Sequence, residues 1–203
     1  TRRSSDLLLD LAKLEAKSMT LQPAQTDLVP FVKYLTGSFE SLAGSKDIEL
    51  RLHCEADSIP MALDRNQMQT ILSNLLSNAV KFTPANGNID LYLEQVADWQ
   101  SRLGSEYFQA VVPASPPPTG WVLIQVRNSG PGIEAAQLPH IFERFYQAEH
   151  PESRSGMGSG IGLALVKELV LLMQGALAVR SGPGDGAEFV VALPVVQAAD
   201  TGD

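Results

Sequence analysis

Apolar residues recur along this chain at helical and at strand spacing, and the alternation between the two outlines the elements. Near the start, Leu7, Leu11 and Leu14 share one stripe of a predicted amphipathic helix. After a break at TLQPAQ, Asp27 is placed to cap a second helix in which Leu28, Phe31, Val32, Leu35, Phe39 and Leu42 recur at helical spacing. A strand is predicted over 48–55, where Ile48, Leu50, Leu52 and Cys54 alternate with polar residues, followed by a short extended piece at MAL. A long helix is predicted over 66–82 and strands over 89–96 and 121–127. A glycine-containing turn, a short helix over 138–146 and a polar loop come next. The last helix is expected over 160–173, followed by strands 176–181 and 188–194 joined by the turn SGPGDG.

Helices and strands arrive in mixed order and the last two strands form a hairpin, which predicts a helical layer packed on a mixed sheet, an α/β two-layer sandwich. Some two dozen residues containing the run PASPPPTG separate the strand ending near Val96 from the one starting at Trp121, which is long for a hairpin connection. They read as an extended loop over 97–120, or as a docking surface using Trp99, Tyr107 and Phe108.

Composition narrows the picture. With 203 residues and 44% apolar content, one globular domain with its own core is expected. A net charge of -8 argues against nucleic acid as a partner, so a phosphate site must be built locally. The single cysteine, Cys54, excludes a disulfide framework and reads as a core-facing strand thiol. The longest apolar stretch is interrupted by Lys167, Glu168 and Gln174, so it reads as a helix and a strand rather than a membrane span. No signal-peptide pattern stands at the N-terminus.

The chemistry concentrates in three places. On the helix QTILSNLLSNAVKFTP, at about 100° per residue, Asn74, Asn78 and Lys81 fall within a narrow arc, while Ile71, Leu72, Leu75, Leu76, Ala79 and Val80 take the remaining circumference. An amide oxygen suits Mg²⁺ and an ammonium suits phosphate, although the same stripe also fits a merely solvated face. In VRNSGPGI a strand enters a turn whose glycines permit positive φ and close backbone approach. In GMGSGIGLALVKELV, Gly158, Gly160 and Gly162 precede and open a helix, where free amides and the helix dipole favour phosphate. This pattern lacks both the context of a dinucleotide fold and the Gly-Lys-Ser/Thr ending of a P-loop.

Taken together and in order, NLLSNAVKFTP, NSGPGI, IFERFYQ, GMGSGIGL and GPGDGAEFVVALP resemble the N, G1, F and G2 boxes and the last hairpin of the ATPase domain of sensor histidine kinases. That domain has the Bergerat fold, shared with gyrase, Hsp90 and MutL, with a mixed sheet of about five strands covered on one face by about three helices. The resemblance implies a catalytic ATP-binding domain over 20–197 with a lid over 147–159. It implies that Asn78 ligates Mg²⁺, that Lys81 contacts phosphates and that Asn74 completes the polar stripe. Asn128, Gly130, Gly132, Ile133 and Phe145 would line the nucleotide, with Gly158, Ser159, Gly160, Ile161, Gly162 and Leu163 closing over the triphosphate. It further implies that residues 1–19 end the second helix of a phosphoacceptor hairpin, and that 198–203 form a frayed tail. Expected partners are ATP, that hairpin and a response-regulator receiver domain. The full-length protein is expected to be a homodimer with its parent anchored in a bacterial inner membrane. This piece itself is expected to be a cytoplasmic monomer without direct membrane contact.

Three positions depart from the family pattern. Asn128 stands where an aspartate usually meets adenine; its amide keeps an acceptor but adds a donor, which would blur the distinction between adenine and guanine. Gln147 replaces an arginine that follows the aromatic pair of the F box, leaving Arg154 as a substitute from the lid. Asn74 occupies the place where hydrolysing relatives carry a glutamate that activates water, so the pocket suits transfer rather than hydrolysis. None of His53, His140 or His150 lies in an acceptor-like pattern. Two readings follow: a phosphoryl donor acting on a histidine elsewhere, or a pseudokinase that binds nucleotide and signals through shape.

Overall fold

Two aspartates start the long helices. The computed structural model describes residues 8, 9, 12, 14, 18–113, 120–147 and 159–196. In it the Asp27 carboxylate accepts from the Val29 amide at the head of helix α1 (Leu28–Gly44). Asp64 accepts from the amides of Asn66 and Gln67 at the head of α2 (Arg65–Phe82), and from that of Gln22. Both satisfy donors that a first helical turn leaves unpaired. Helix α3 (Gly162–Leu172) starts two residues later than its pattern predicts, because Gly160 stands at φ +67°, outside the right-handed helical region.

Among the described residues there are eight strands: β1 (Ala24–Asp27), β2 (Glu49–His53), β3 (Pro60–Leu63), β4 (Asn88–Val96), β5 (Phe108–Val111), β6 (Trp121–Asn128), β7 (Ala176–Ser181) and β8 (Ala187–Pro194). Six form one sheet in the order β2-β4-β6-β8-β7-β5, with β2 parallel to β4 and the other pairs antiparallel. β1 and β3 pair separately as an antiparallel ladder. The sandwich is thus the predicted one, and the sixth strand of its sheet, β5, lies inside the segment read as a loop.

Alternation along the strands assigns the faces. Leu91, Ile124, Val191 and Leu177 point to the helices, where they meet Leu35, Leu72, Leu76, Leu165 and Leu169 in one buried core. The opposite face is not bare. Trp121, Leu123, Ala178, Val190 and Ala192 form a second cluster around Trp99, with Leu103 and Tyr107 packed against it. Trp99 and Trp121 meet edge to face with centroids 6.3 Å apart. Asp98 accepts from the amides of Gln100 and Ser101 to set the short 3₁₀ turn, and Arg102 pairs with Glu94 on β4. Arg180 lies over the Tyr107 ring and bonds Glu188 at 2.6 Å. Burial, followed by the Glu188 charge, pushes the Tyr107 phenol up to about 12. Residues 97–107 therefore cap the outer face of the sheet, and β5 joins its edge. Trp99, 3% exposed, is not available as a docking residue.

The segment expected as a short helix over 138–146 is instead a run of tight turns. His140 donates to Gln137 O and Glu143 to His140 O, each a three-residue step. Pro139 has no amide to contribute, and Phe145 at φ +61° ends the run. Leu138, Ile141 and Phe142 still reach the core, with Phe142 edge-on to Phe189. Cys54 is half-buried, packed against the core, with its thiol donating to Ala56 O. No helix among the described residues is long and apolar enough to cross a membrane.

Because Trp99 closes the outer cluster, Trp99→Ala is expected to cost about 3 kcal/mol of stability, in the range for deleting a large buried aromatic. Urea denaturation of this chain measures it.

Candidate functional site

Helix α2 buries Ile71, Leu72, Leu75, Leu76, Ala79 and Val80 and leaves Asn74 and Asn78 half-buried and Lys81 exposed. The polar stripe expected from the sequence thus borders the core. The Asn74 amide donates to Thr70 O at 2.7 Å, which turns its oxygen toward the start of α3. A Cβ placed on Gly162 would lie 2.6 Å from that oxygen. Gly162 therefore lets α3 close on Asn74, and the second glycine set meets the upper end of the stripe.

The lower end meets the first glycine turn. A Cβ on Gly130 would lie 2.5 Å from the Phe82 carbonyl and 2.6 Å from the end of the Asn128 side-chain amide. Lys81, just before Phe82, has its ammonium 4.9 Å from the Phe82 ring centre, and burial lowers its pKa. Thr83 Oγ1 donates to Ala79 O, ending the helix.

Asn128 is buried at the end of β6. Its amide is assigned from its surroundings with the nitrogen facing Ala187 O and the oxygen facing Gly130 N–H, the orientation in which both make hydrogen bonds, at 3.1 Å. Ser129 exchanges bonds with Asn88: its amide donates to Asn88 O and its hydroxyl accepts from Asn88 N–H. Gly132 stands at φ +82°, and a Cβ there would lie 1.8 Å from Gly182 O. The space at Gly132 is thus taken by the β7–β8 hairpin turn. Ile133, half-buried, donates its amide to Ser181 Oγ. These backbone-shaping partners, Ser129 and Ser181, were not among the candidates read from the sequence; a serine at a strand end carries no signal of its own.

Gly160 packs on Phe145, whose amide donates to Gly160 O at 2.9 Å, and a Cβ at Gly160 would lie 2.7 Å from the Phe145 backbone. The Phe145 ring is 63% exposed, beside half-buried Ser159 and Leu163 and buried Ile161. Gly158, His150, Arg154 and the rest of 148–158 lie outside the described residues, as do 114–119 and 197–203. His53 bonds Asp90 and His140 bonds Glu143, away from the α2 stripe.

Among the described residues no three His, Cys, Asp or Glu side chains gather to hold a metal ion. A Mg²⁺ here would take an amide oxygen, with Asn78 as the donor on the stripe, and draw its other oxygens from phosphate and water, the usual manner for nucleotide-borne Mg²⁺. A hollow of about 430 Å³ lined by Gln22, Phe31, Tyr34, Asp64 and Arg65 contains none of the candidate residues.

Residues 63–197 match the family model of histidine kinase-, DNA gyrase B- and HSP90-like ATPases. The chain is 33% identical over 193 residues to hybrid signal transduction histidine kinase D of Dictyostelium discoideum, covering 95% of this chain and 11% of that protein. It is 36% identical over 192 residues to sensor histidine kinase TmoS of Ectopseudomonas mendocina, covering 93% and 17%. The chain thus spans less than a fifth of the length of these relatives. Full-length ShkA, solved in complex with AMPPNP, superposes with a TM-score of 0.76 at 28% identity over 96% of this chain and 35% of that one.

Proposed function

Because this chain belongs to the histidine kinase-, DNA gyrase B- and HSP90-like ATPases, and among them to the catalytic domains of sensor histidine kinases, we propose that it binds Mg-ATP and donates the γ-phosphoryl group to a histidine elsewhere in the parent protein. One observation carries this reading: the Asn74–Asn78–Lys81 face of α2 is flanked by Gly162 at one end and by Gly130 at the other. A nucleotide lying along that face would set its base at the Asn128–Gly130 end and run its phosphates past Lys81 toward Asn74 and the head of α3. That ShkA was solved in complex with AMPPNP supports nucleotide binding by this fold.

The residues divide the work. Asn78 offers the protein oxygen to Mg²⁺ and Lys81 a point charge to the phosphates. Partial burial lowers the pKa of Lys81, and an anionic neighbour would favour its charged form. The first amides of α3 face the phosphate end, where the dipole favours negative charge. Asn74 cannot take a proton at neutral pH, so water is not activated from that position. Transfer then breaks the bond between the β,γ-bridging oxygen and the γ-phosphorus, forms a bond from that phosphorus to an imidazole nitrogen, and releases ADP. The acceptor histidine, a homodimeric assembly and a membrane anchor are assigned to the rest of the parent, and a response-regulator receiver domain is the expected partner.

Mixing this chain with its parent's separate acceptor hairpin and γ-labelled ATP tests the proposal. Label on the hairpin is expected, and it should fall at least tenfold in Asn78→Ala. ATP binding without any label would favour the nucleotide-sensing alternative.

Asn128 also bears on base choice. Read alone, its amide was free to turn and accept guanine; in the fold, its bonds to Ala187 and Gly130 oppose the turn. Reversing it would break two hydrogen bonds, each worth about 1 kcal/mol. ATP is therefore expected to outcompete GTP by about tenfold or more, as measured by competition titration on this chain.

A further inference from the structure

The hydroxyl of Ser181 stands where the β7–β8 hairpin meets the turn that follows β6. It accepts from the Ile133 amide at 2.8 Å and donates to the Gly186 carbonyl. One residue earlier in the same turn, Gly132 presses its α-carbon against the Gly182 carbonyl, and Pro131 O accepts from the Gly184 amide at 2.8 Å. The hairpin turn and the 130–133 turn are thus latched by two backbone contacts and one side chain. Ser181 is that side chain, and both of its bonds lie within the latch.

We propose that Ser181 is a positioning residue for nucleotide binding, acting through Ile133 on the path of the Gly130–Ile133 backbone. The proposal rests on the ATP site described above. Its physical basis is that the hairpin keeps its register without the Ser181 hydroxyl, whereas the Ile133 amide is bonded to that hydroxyl. The hairpin is already held in register by the Ser181↔Ala187 and Arg180↔Glu188 pairs and by the bond from Gly184 to Pro131. Ile133 N–H, in contrast, is held by the Ser181 hydroxyl. Removing the hydroxyl leaves the strands paired and takes the partner from the Ile133 amide, at the far end of the turn that begins at Asn128.

Titration calorimetry of Mg-ATP into this chain, paired with urea denaturation in the absence of nucleotide, tests it. In Ser181→Ala, ATP affinity is expected to fall about fivefold to tenfold, the equivalent of one neutral hydrogen bond. Ser181→Thr, which keeps the hydroxyl, is expected to restore it. Hydrogen exchange at the Ile133 amide should accelerate in the alanine variant and not in the threonine variant. Unchanged ATP affinity in Ser181→Ala, with only the unfolding midpoint shifted, would show a structural role and overturn the proposal. If the alanine variant does not fold, Ser181→Cys, a weaker donor and acceptor of similar size, gives the same comparison. A wild-type chain that binds no ATP would overturn the nucleotide site itself, and the positioning role with it. A bound wild type with an indifferent Ser181→Ala overturns the positioning role alone.

Discussion

The turn from Asn128 to Ile133 is held by groups from three other segments, and the proposed nucleotide edge of the domain depends on that clamp. Ser129 is tied to Asn88 at the start of β4. The Asn128 amide bridges Gly130 and Ala187. Ile133 is tied to Ser181, while Gly132 gives up the volume of a Cβ to Gly182. Because the partners sit at or beside the ends of paired strands, the turn inherits the rigidity of β4, β7 and β8. A rigid turn beside Phe82 fixes one end of the Asn74–Lys81 stripe, and the close approach of Gly162 to Asn74 fixes the other. A site defined from both ends costs little reorganisation when a ligand arrives.

Stability is drawn from a sheet covered on both faces. The helices cover the first, as in any two-layer sandwich. The second is closed by Trp99, Leu103 and Tyr107, so the central strands β6 and β8 are buried almost throughout. The Arg180–Glu188 pair beneath Tyr107 anchors the cap directly on the two strands whose turn forms the latch. Cap and latch thus share a support, which links the outer face to the nucleotide edge through β7 and β8.

Much of this was legible in the sequence, and the parts that were not have physical reasons. The α2 stripe was legible because helical periodicity alone places Asn74, Asn78 and Lys81 together. The sandwich followed from the order of elements, and the helix start at Asp27 from its capping chemistry. The two short strands β1 and β5 were not legible: four residues each, they are strands only because β3 and β7 offer partners. The 138–146 segment carried helical spacing, yet Pro139 and the left-handed Phe145 imposed turns. Trp99 sat in a stretch whose proline-rich end reads as loop, and nothing local announces that a strand pair waits beneath it. Gly132 was read as room for a ligand, whereas its room is filled by Gly182. A sequence shows that a backbone needs space and not which segment occupies it.

Everything proposed for the site depends on where ATP sits. Amide chemical-shift mapping of this chain during titration with Mg-ATP addresses that directly. Shifts should concentrate at Asn74, Asn78, Lys81, the Asn128–Ile133 turn and Gly160–Leu163. Saturable shifts confined instead to the hollow around Phe31, Tyr34 and Arg65, with the α2 stripe unmoved, would contradict it.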